Sequence, residues 1–338
     1  MNYSFYVGCY TKEPKDKGIH LLNFDTERGE LKHIDSFFGE RSPSFLTRTG
    51  NFLYAANEVG GAGMLSALSV KADKTLVYLN SAKASGMGTC HAAEMNGFLY
   101  GANYSSGSVF GAEILTDGSL GKIVADIQHE GSGPNEKRQK QPHAHSVNPV
   151  AGKDIIIAAD LGADKLFCYR QQKDGSLKLS TAVAAPAGGG PRHMAFSPDG
   201  KRVYAVMEMG ITVVCYKMTD TGPVFEAEYP LVPEIAPNDS SADIHFAANG
   251  TRLYVTTRGT NINTAFNVGS NGKLELIGRY STHGDSPRNF CLSPCEKYVV
   301  TANQASGHIT ICPVGEDGAI GEMIGSVVLS GPSCVINA

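Results

Sequence analysis

Short apolar segments with an aromatic or β-branched centre recur along the chain. They are FYVGCY (5–10), FLYAAN (52–57), FLYGAN (98–103), DIIIAAD (154–160), RVYAVM (202–207), RLYVTT (252–257) and KYVVTAN (297–303). A second set of segments, most of them led by glycine, begins at residues 29, 74, 118, 175, 222, 272 and 318. Both patterns occur seven times with a period of about 48 residues, which is typical of a repeat architecture.

Each period predicts one unit of β-structure. Turn sequences such as SPDGKR, DGS and SNGK separate the apolar segments, and the chain has hardly any apolar pattern at helical spacing. Four strands of five or six residues with their turns use up such a period. We therefore predict an all-β fold, a seven-bladed β-propeller with four-stranded antiparallel blades, formed by residues 1–338 as a single domain.

The ends of the chain are predicted to close the ring. FYVGCY reads as the second or a later strand of a blade, and the tail GEMIGSVVLSGPSCVIN can supply the missing strands of that blade. Closure leaves no unpaired sheet edge. Two β-sandwich domains are the alternative, but they would require a linker and a break in the period, and neither is visible.

Composition narrows the range of partners. The formal net charge is −4 and no long basic block occurs, which argues against a nucleic acid or a membrane surface as partner. Neither a signal peptide nor an apolar run of about 20 residues is present. The eight cysteines form no CxxC pair and suit packing in a reducing compartment. We therefore expect a cytoplasmic protein, a monomer or weak homo-oligomer, that binds a small molecule.

One hairpin shows where polar residues should gather. RHMAFS and RVYAVM flank the turn PDGK, which predicts an antiparallel pair with Arg192 opposite Glu208 at its open end. The fourth residue after the tyrosine of the second strand marks the same end in other blades. These positions hold Glu58, Tyr104, Glu208 and Arg258, and Gln304 aligns with Glu208. They should surround one mouth of the central channel.

The first strand of each blade should present its start at the same mouth. The residues there are Ser44, His91, His143 with His145, Arg192 with His193, Asp243 and Arg288. Histidines two apart on a strand point to the same side, so His143 and His145 could share a cavity. Such a pair could also bind a metal, but neighbouring arginines would repel a cation, so we predict no metal. The loop 131–141 is either a solvated insertion or a lid, and its cations would suit a phosphate.

Several motifs together resemble a known family. QPHAHSV, ADLGADKLFCY, GGGPRHMAFSPDGKRVYAVMEM, ADIHFAANGTRLYVTTRG and DSPRNFCLSPCEKYVVTANQ resemble the lactonase seven-bladed propeller family, and the likeness spans nearly the whole chain. That family contains bacterial 6-phosphogluconolactonases and the fungal 3-carboxy-cis,cis-muconate lactonising enzyme. The resemblance implies that His145, Arg192, Glu208 and Arg258 are the catalytic residues. Where the family usually reads Ser-Asn-Arg-Gly, this chain has TTRG.

The resemblance and the residues lead to a mechanistic hypothesis. We expect hydrolysis of a lactone, 6-phosphogluconolactone, in the pentose phosphate pathway, without a cofactor. His145 is the favoured general base, and Glu208 orients it or returns the proton. Arg192 and Arg258 face the oxyanion and the anionic group of the sugar lactone. The predicted substrate-binding residues are His143, His193, Arg288, Glu58, His91 and Gln304.

Two other functions remain open from the sequence. A muconate-type cycloisomerase would use the same motifs to add a carboxylate to an alkene, although a loop rich in lysine and arginine favours a phosphorylated substrate. A non-catalytic propeller that binds partners on its rim would carry exposed aromatic patches and a mouth that tolerates mutation.

Overall fold

The strands form seven antiparallel sheets of four strands each, arranged as blades around a channel. The structure is a computed structural model that describes residues 1–13 and 15–338. The innermost strands contact one another in cyclic order, which closes the ring. The predicted fold class is confirmed, and the described residues contain no helix.

The described residues form 28 strands, which follow the predicted period. The first fourteen are β1 (Asn2–Cys9), β2 (Ile19–Asp25), β3 (Glu30–Phe37), β4 (Pro43–Thr49), β5 (Phe52–Asn57), β6 (Gly63–Val70), β7 (Leu76–Ala84), β8 (Thr89–Met95), β9 (Phe98–Asn103), β10 (Ser108–Ile114), β11 (Leu120–Gln128), β12 (Ala144–Pro149), β13 (Ile155–Asp160) and β14 (Lys165–Gln171). The others are β15 (Leu177–Ala184), β16 (Pro191–Phe196), β17 (Arg202–Met207), β18 (Thr212–Thr219), β19 (Gly222–Pro230), β20 (Ser240–Phe246), β21 (Arg252–Arg258), β22 (Ile262–Val268), β23 (Leu274–Ser281), β24 (Pro287–Leu292), β25 (Tyr298–Asn303), β26 (His308–Pro313), β27 (Gly325–Val328) and β28 (Pro332–Asn337).

The two ends of the chain meet in the first blade. Its strand order is β28, β1, β2 and β3, so the C-terminal strand is innermost and the N-terminal strand is second. The antiparallel register of β1 and β28 runs from the pair Phe5–Asn337 to the pair Cys9–Pro332. The rest of the tail contributes β27, the outermost strand of the seventh blade. The predicted closure by both termini is therefore confirmed.

A tyrosine of the second strand links most blades to the next one. The buried hydroxyls of Tyr54, Tyr100, Tyr204 and Tyr254 donate to the carbonyls of Gly118, Gly175, Gly272 and Gly318, respectively, and Tyr6 donates to Lys74. Each acceptor lies at the turn before the fourth strand of the following blade and has a positive φ, between 68° and 86°. The left-handed turn and the tyrosine therefore act together, because the turn presents the carbonyl that the hydroxyl binds.

The innermost strands carry a β-bulge near their start. In the fifth blade Pro191 pairs with Met207 and Met194 with Ala205, so Arg192 and His193 together face the single residue between those partners. The predicted register, with Arg192 opposite Glu208, is therefore wrong. The backbone N–H of Glu208 instead donates to the carbonyl of Gly190. A bulge adds a residue to one strand and redirects its side chains, which a simple count from the turn cannot reveal.

The same irregularity occurs in all seven blades. The register shifts at Ser44, Cys90, His145, Arg192, Arg288 and Ser333, and at Ala242 together with Asp243. Three of these residues, Cys90, His145 and Arg288, line a cavity at the mouth. The following residue, such as His193 after Arg192, lies one layer deeper in the channel.

The tyrosine links should contribute measurably to stability. We expect Tyr204→Phe to lower the free energy of unfolding by about 1 kcal/mol, because the buried Gly272 carbonyl loses its donor. Denaturant unfolding at fixed pH measures this change. Tyr229→Phe is the control, since the Tyr229 hydroxyl makes no hydrogen bond to the described residues. Equal effects of the two substitutions would contradict a role for the link.

Candidate active site

A polar cavity of about 280 Å³ opens at one mouth of the channel. Its lining residues are Tyr10, Glu58, Cys90, Tyr104, Arg138, His145, Glu208, Ser240, Arg258 and Arg288. Most come from two recurring places, the residue at or just beyond the end of a second strand and the bulge of a first strand. The exceptions are Ser240, at the start of β20, and Arg138, in the loop between β11 and β12.

Backbone hydrogen bonds fix the residues beyond the second strands at this mouth. In each of six blades, the N–H of this residue donates to the carbonyl just before the innermost strand; the donors are Tyr10, Glu58, Tyr104, Leu161, Glu208 and Gln304. Arg258 ends β21 and pairs with Ser240 instead. The fold therefore sets the level of this ring of positions, and the sequence decides which of them carry charge.

Glu208 is the most strongly ion-paired carboxylate of the cavity. Arg138 Nη2 donates to its Oε1 at 2.7 Å, and Arg192 Nε and Arg258 Nη2 each lie 3.0 Å from its Oε2. Burial alone would raise the pKa of Glu208, but Arg258, Arg192 and Arg138 outweigh burial and lower it to about 2. Glu208 is therefore ionised at neutral pH and holds three guanidinium groups together.

Arg192 lies behind Glu208 and outside the cavity lining. Its side chain is almost completely buried, and Nη1 donates to the carbonyl of Ala242. Burial lowers the pKa of Arg192 to about 10, with Arg258 and Arg288 adding to the effect, so it remains protonated at neutral pH. Arg192 was expected to face the oxyanion, but its side chain does not line the cavity in which the oxyanion would form. Its contact is with Glu208.

His145 presents a neutral imidazole beside this cluster. Its Nε2 lies 3.9 Å from Glu208 Oε2, and its Nδ1 lies 3.8 Å from Cys90 Sγ. Burial lowers the pKa of His145 well below the usual imidazole value, and the nearby charge of Arg192 lowers it further. Because the ring is uncharged at neutral pH, one of its nitrogens is free to accept a proton.

A second charged group lies across the cavity. The Tyr10 hydroxyl donates to Glu58 Oε2 at 2.5 Å, and Arg288 Nη2 lies 3.6 Å from the same oxygen. The Arg288 guanidinium also lies 5.5 Å from the centre of the Tyr10 ring. Arg288 makes no hydrogen bond to the described residues, so its donors can bind a ligand in the cavity.

Comparison with known proteins identifies the family. The model of the family described as "Lactonase, 7-bladed beta-propeller" matches residues 4–337. This chain belongs to that lactonase family. The predicted enzyme class, a hydrolase that opens lactones and so acts on carboxylic esters, is confirmed at this level.

Relatives of this lactonase align over nearly their whole length. A 6-phosphogluconolactonase from Bacillus subtilis is 32% identical over 318 residues, covering 91% of this chain and 90% of the relative. Another, from Formosa agariphila, is 30% identical and covers 90% and 91%. The solved structure of a periplasmic gluconolactonase from Pseudomonas aeruginosa superposes with a TM-score of 0.93 at 28% identity, covering 100% of this chain and 99% of that one.

Four predicted substrate-binding residues do not line the cavity of this lactonase. His143 precedes β12, its Nδ1 donates to the Tyr104 carbonyl at 2.8 Å, and its ring stacks on Tyr104. The expectation that His143 and His145 share a cavity fails because of the bulge at His145. Gln304 follows β25 at the same level as Glu208 but is also absent from the lining.

His91 and His193, the other two, lie deeper in the channel. They follow the bulge positions Cys90 and Arg192, and their rings are 5.2 Å apart. His193 Nδ1 is 2.7 Å from Asp243, whose other carboxylate oxygen lies 2.8 Å from His245. Burial lowers the pKa of His193 to about 4. These residues form a polar layer beneath the cavity, and the predicted location of His91 and Asp243 at the mouth is wrong by one residue.

Sequence reasoning missed three lining residues as site candidates, namely Tyr10, Cys90 and Ser240. The rule of the fourth residue after the tyrosine, applied to Tyr6, identifies Tyr10. Arg138 is one of the cations of the loop 131–141 that the sequence suggested for binding a phosphate, although the role of the loop itself was open. Its bonds to Glu208 and to the Tyr104 hydroxyl show that part of the loop forms a wall of the cavity.

The described residues contain no group of three or more histidine, cysteine, aspartate or glutamate side chains that could hold a metal ion. Nor do they include a helix long and apolar enough to cross a membrane.

The Glu208 cluster predicts a pH-dependent contribution to stability. A carboxylate with a depressed pKa stabilises the fold above its unfolded pKa, and this contribution is lost as pH falls through the folded value. We expect Glu208→Gln to be less stable than wild type by up to about 3 kcal/mol at pH 7, with the difference shrinking between pH 4.5 and 2. Denaturant unfolding over this pH range measures it.

Glu226→Gln is the matched control for this measurement. Glu226 binds Arg202 with two contacts, at 2.6 and 3.0 Å, but the pair lies at the surface. Its loss should cost no more than about 1 kcal/mol. A Glu208→Gln difference that is small or independent of pH would contradict the ion-paired state described above.

Proposed function

We propose that this lactonase hydrolyses 6-phosphogluconolactone to 6-phosphogluconate, the step it would supply to the pentose phosphate pathway. The observation that carries the proposal is a neutral, buried imidazole beside a cavity whose walls hold more arginines than carboxylates. Such a cavity favours an anionic substrate. The names of the Bacillus and Formosa relatives support the phosphorylated lactone.

His145 is proposed as the general base. It takes a proton from water as the water oxygen bonds to the lactone carbonyl carbon, and the imidazolium then returns that proton to the ring oxygen when the C–O bond breaks. Glu208 is unsuited to this role because three arginines hold its pKa near 2. Ion pairing with Glu208 instead orients the arginines, which supports His145 as the base.

The arginines that line the cavity are proposed to bind the negative charges of the reaction. Arg258 and Arg138 adjoin His145 through their shared contact with Glu208, so one of them can face the oxyanion that forms on the carbonyl. Arg288, across the cavity, has free donors for the phosphate group. Arg192 acts as a positioning residue, since it contacts Glu208 and not the open volume.

The location and the assembly of the protein remain predictions. All eight cysteines are free thiols, which suits the expected cytoplasmic compartment. The Pseudomonas neighbour, by contrast, is described as periplasmic. A monomer or weak homo-oligomer is still expected.

The proposed reaction can be tested directly. We expect wild type to hydrolyse freshly generated 6-phosphogluconolactone well above the spontaneous rate, and His145→Ala to lose about 10²- to 10⁴-fold in kcat. His33→Ala, an exposed histidine on the outer strand β3, should keep full activity. A wild-type rate equal to background would overturn the proposal.

Two further substrates distinguish the alternatives in the same assay. Faster hydrolysis of unphosphorylated gluconolactone would mean that Arg288 does not select for phosphate. Turnover of 3-carboxy-cis,cis-muconate would favour the cycloisomerase. If none of the substrates is turned over and substitutions at the mouth leave the protein intact, a non-catalytic binding module would be favoured.

The pH profile should report the depressed pKa of His145. Because a base works only when unprotonated, we expect kcat/KM, corrected for spontaneous hydrolysis, to stay level as pH falls from 8 through 6.5 and to decline only at lower pH. Arg192→Gln and Arg288→Gln each remove a positive charge near the ring, so the decline should move to higher pH. A wild-type decline centred at 6.5 would show that His145 is not the base.

A further inference from the structure

A second cavity adjoins the arginine-lined one at the same mouth. It measures about 470 Å³ and shares Arg258 and Ser240 with the first. Its other walls come from the loop before β20, the turn after β21 and the loop before β24, with Asn238, Thr260 and Asp285 among the lining residues. We name the two spaces the inner lobe (about 280 Å³) and the outer lobe (about 470 Å³).

Hydrogen bonds between loops hold the outer lobe in shape. Asp239 Oδ1 accepts from the N–H and the hydroxyl of Thr260, and its Oδ2 accepts from the N–H of Ala236. Asn261 joins the next loop, because its side chain donates to Asp285 Oδ1 and accepts from the N–H of Ser286. Three loops from two neighbouring blades are therefore tied together around this space.

The same network leaves several polar groups free to bind a ligand. The hydroxyls of Ser240 and Ser286, the side-chain amide of Asn238 and Asp285 Oδ2 make no hydrogen bond to the described residues. These groups offer both donors and acceptors. Arg258 is the cation in the lining, while Asp239 and Asp285 would repel a phosphate. The chemistry of the outer lobe therefore suits neutral hydroxyl groups better than an anion.

The sizes of the lobes point to a substrate larger than a single sugar lactone. Ligand pockets usually measure about 300–1,000 Å³, so the inner lobe alone is at the small end and both lobes together are well within the range. We propose that the site also accepts an aldonolactone carrying a glycosyl substituent, with the lactone ring in the inner lobe and the added sugar unit in the outer lobe. This inference rests on the proposed lactone hydrolysis but adds a binding site to it.

The test compares two unphosphorylated lactones that differ only by the added unit. Gluconolactone and 4-O-glucosyl-gluconolactone are each assayed against their spontaneous rates of hydrolysis. We expect kcat/KM to be about tenfold higher for the glucosylated lactone, because one additional hydrogen bond to a charged group contributes about that factor. Asn238→Trp should abolish this preference by filling the outer lobe, while Asn238→Ala, which removes one free polar group and leaves the lobe open, should weaken it without abolishing it. Asp117→Asn, at an exposed turn in another blade, is the control for a surface substitution.

A binding measurement separates this inference from the proposed function. Calorimetry measures the affinity for gluconate and for 4-O-glucosyl-gluconate, the two product acids. The difference between them reports binding in the outer lobe even if neither lactone is turned over. Tighter binding of the glucosylated acid that Asn238→Trp removes would support the inference with or without hydrolysis. Equal binding of the two acids, or an equal effect of Asn238→Trp on both, would overturn it even if 6-phosphogluconolactone is hydrolysed.

Discussion

Closure of the ring is the constraint on which the site depends. The cavity combines Tyr10, which follows the first strand of the chain, with Arg288 from the seventh blade, and β28 must pair with β1 to bring those blades together. Tyr10 and Arg288, far apart in the sequence, then become neighbours without a loop reaching between them. Because each blade contributes a residue at the same level, changes of single side chains alter the chemistry of the mouth while the backbone stays the same.

The bulges of the innermost strands give the channel two polar layers. A regular strand would send every second residue into the channel, but a bulge such as that at Cys90 places one residue at the mouth and the next one, His91, below it. His145 and Arg192 belong to the upper layer, whereas His193 and Asp243 belong to the lower. The lower layer is satisfied internally through Asp243 and its histidine and asparagine donors. Charge that could bind a ligand is thereby concentrated in the upper layer.

The sequence predicted what repeats and missed what interrupts the repeat. The period, the tyrosine positions and the turn glycines identified the seven blades, and the position four residues beyond the tyrosine identified Glu58, Glu208 and Arg258. Two features could not be read from spacing. A bulge has no distinctive residue here, so His91 and Asp243 were assigned one layer too high. The contact of Arg138 with Glu208 depends on the path of a long loop, which no periodic pattern describes.

The electrostatics of the mouth explain how it can hold a neutral base among so many cations. The three arginines around Glu208 would repel one another if that carboxylate were absent, and its ionisation at neutral pH partly compensates their charge. Burial disfavours protonation of His145 and the remaining positive charge adds to that effect, which keeps the imidazole ready to accept a proton. The same positive charge attracts an anionic lactone and stabilises the oxyanion. Burial and the excess of arginine over carboxylate therefore act together: burial keeps the base neutral, and the arginines reinforce that effect while they attract the substrate.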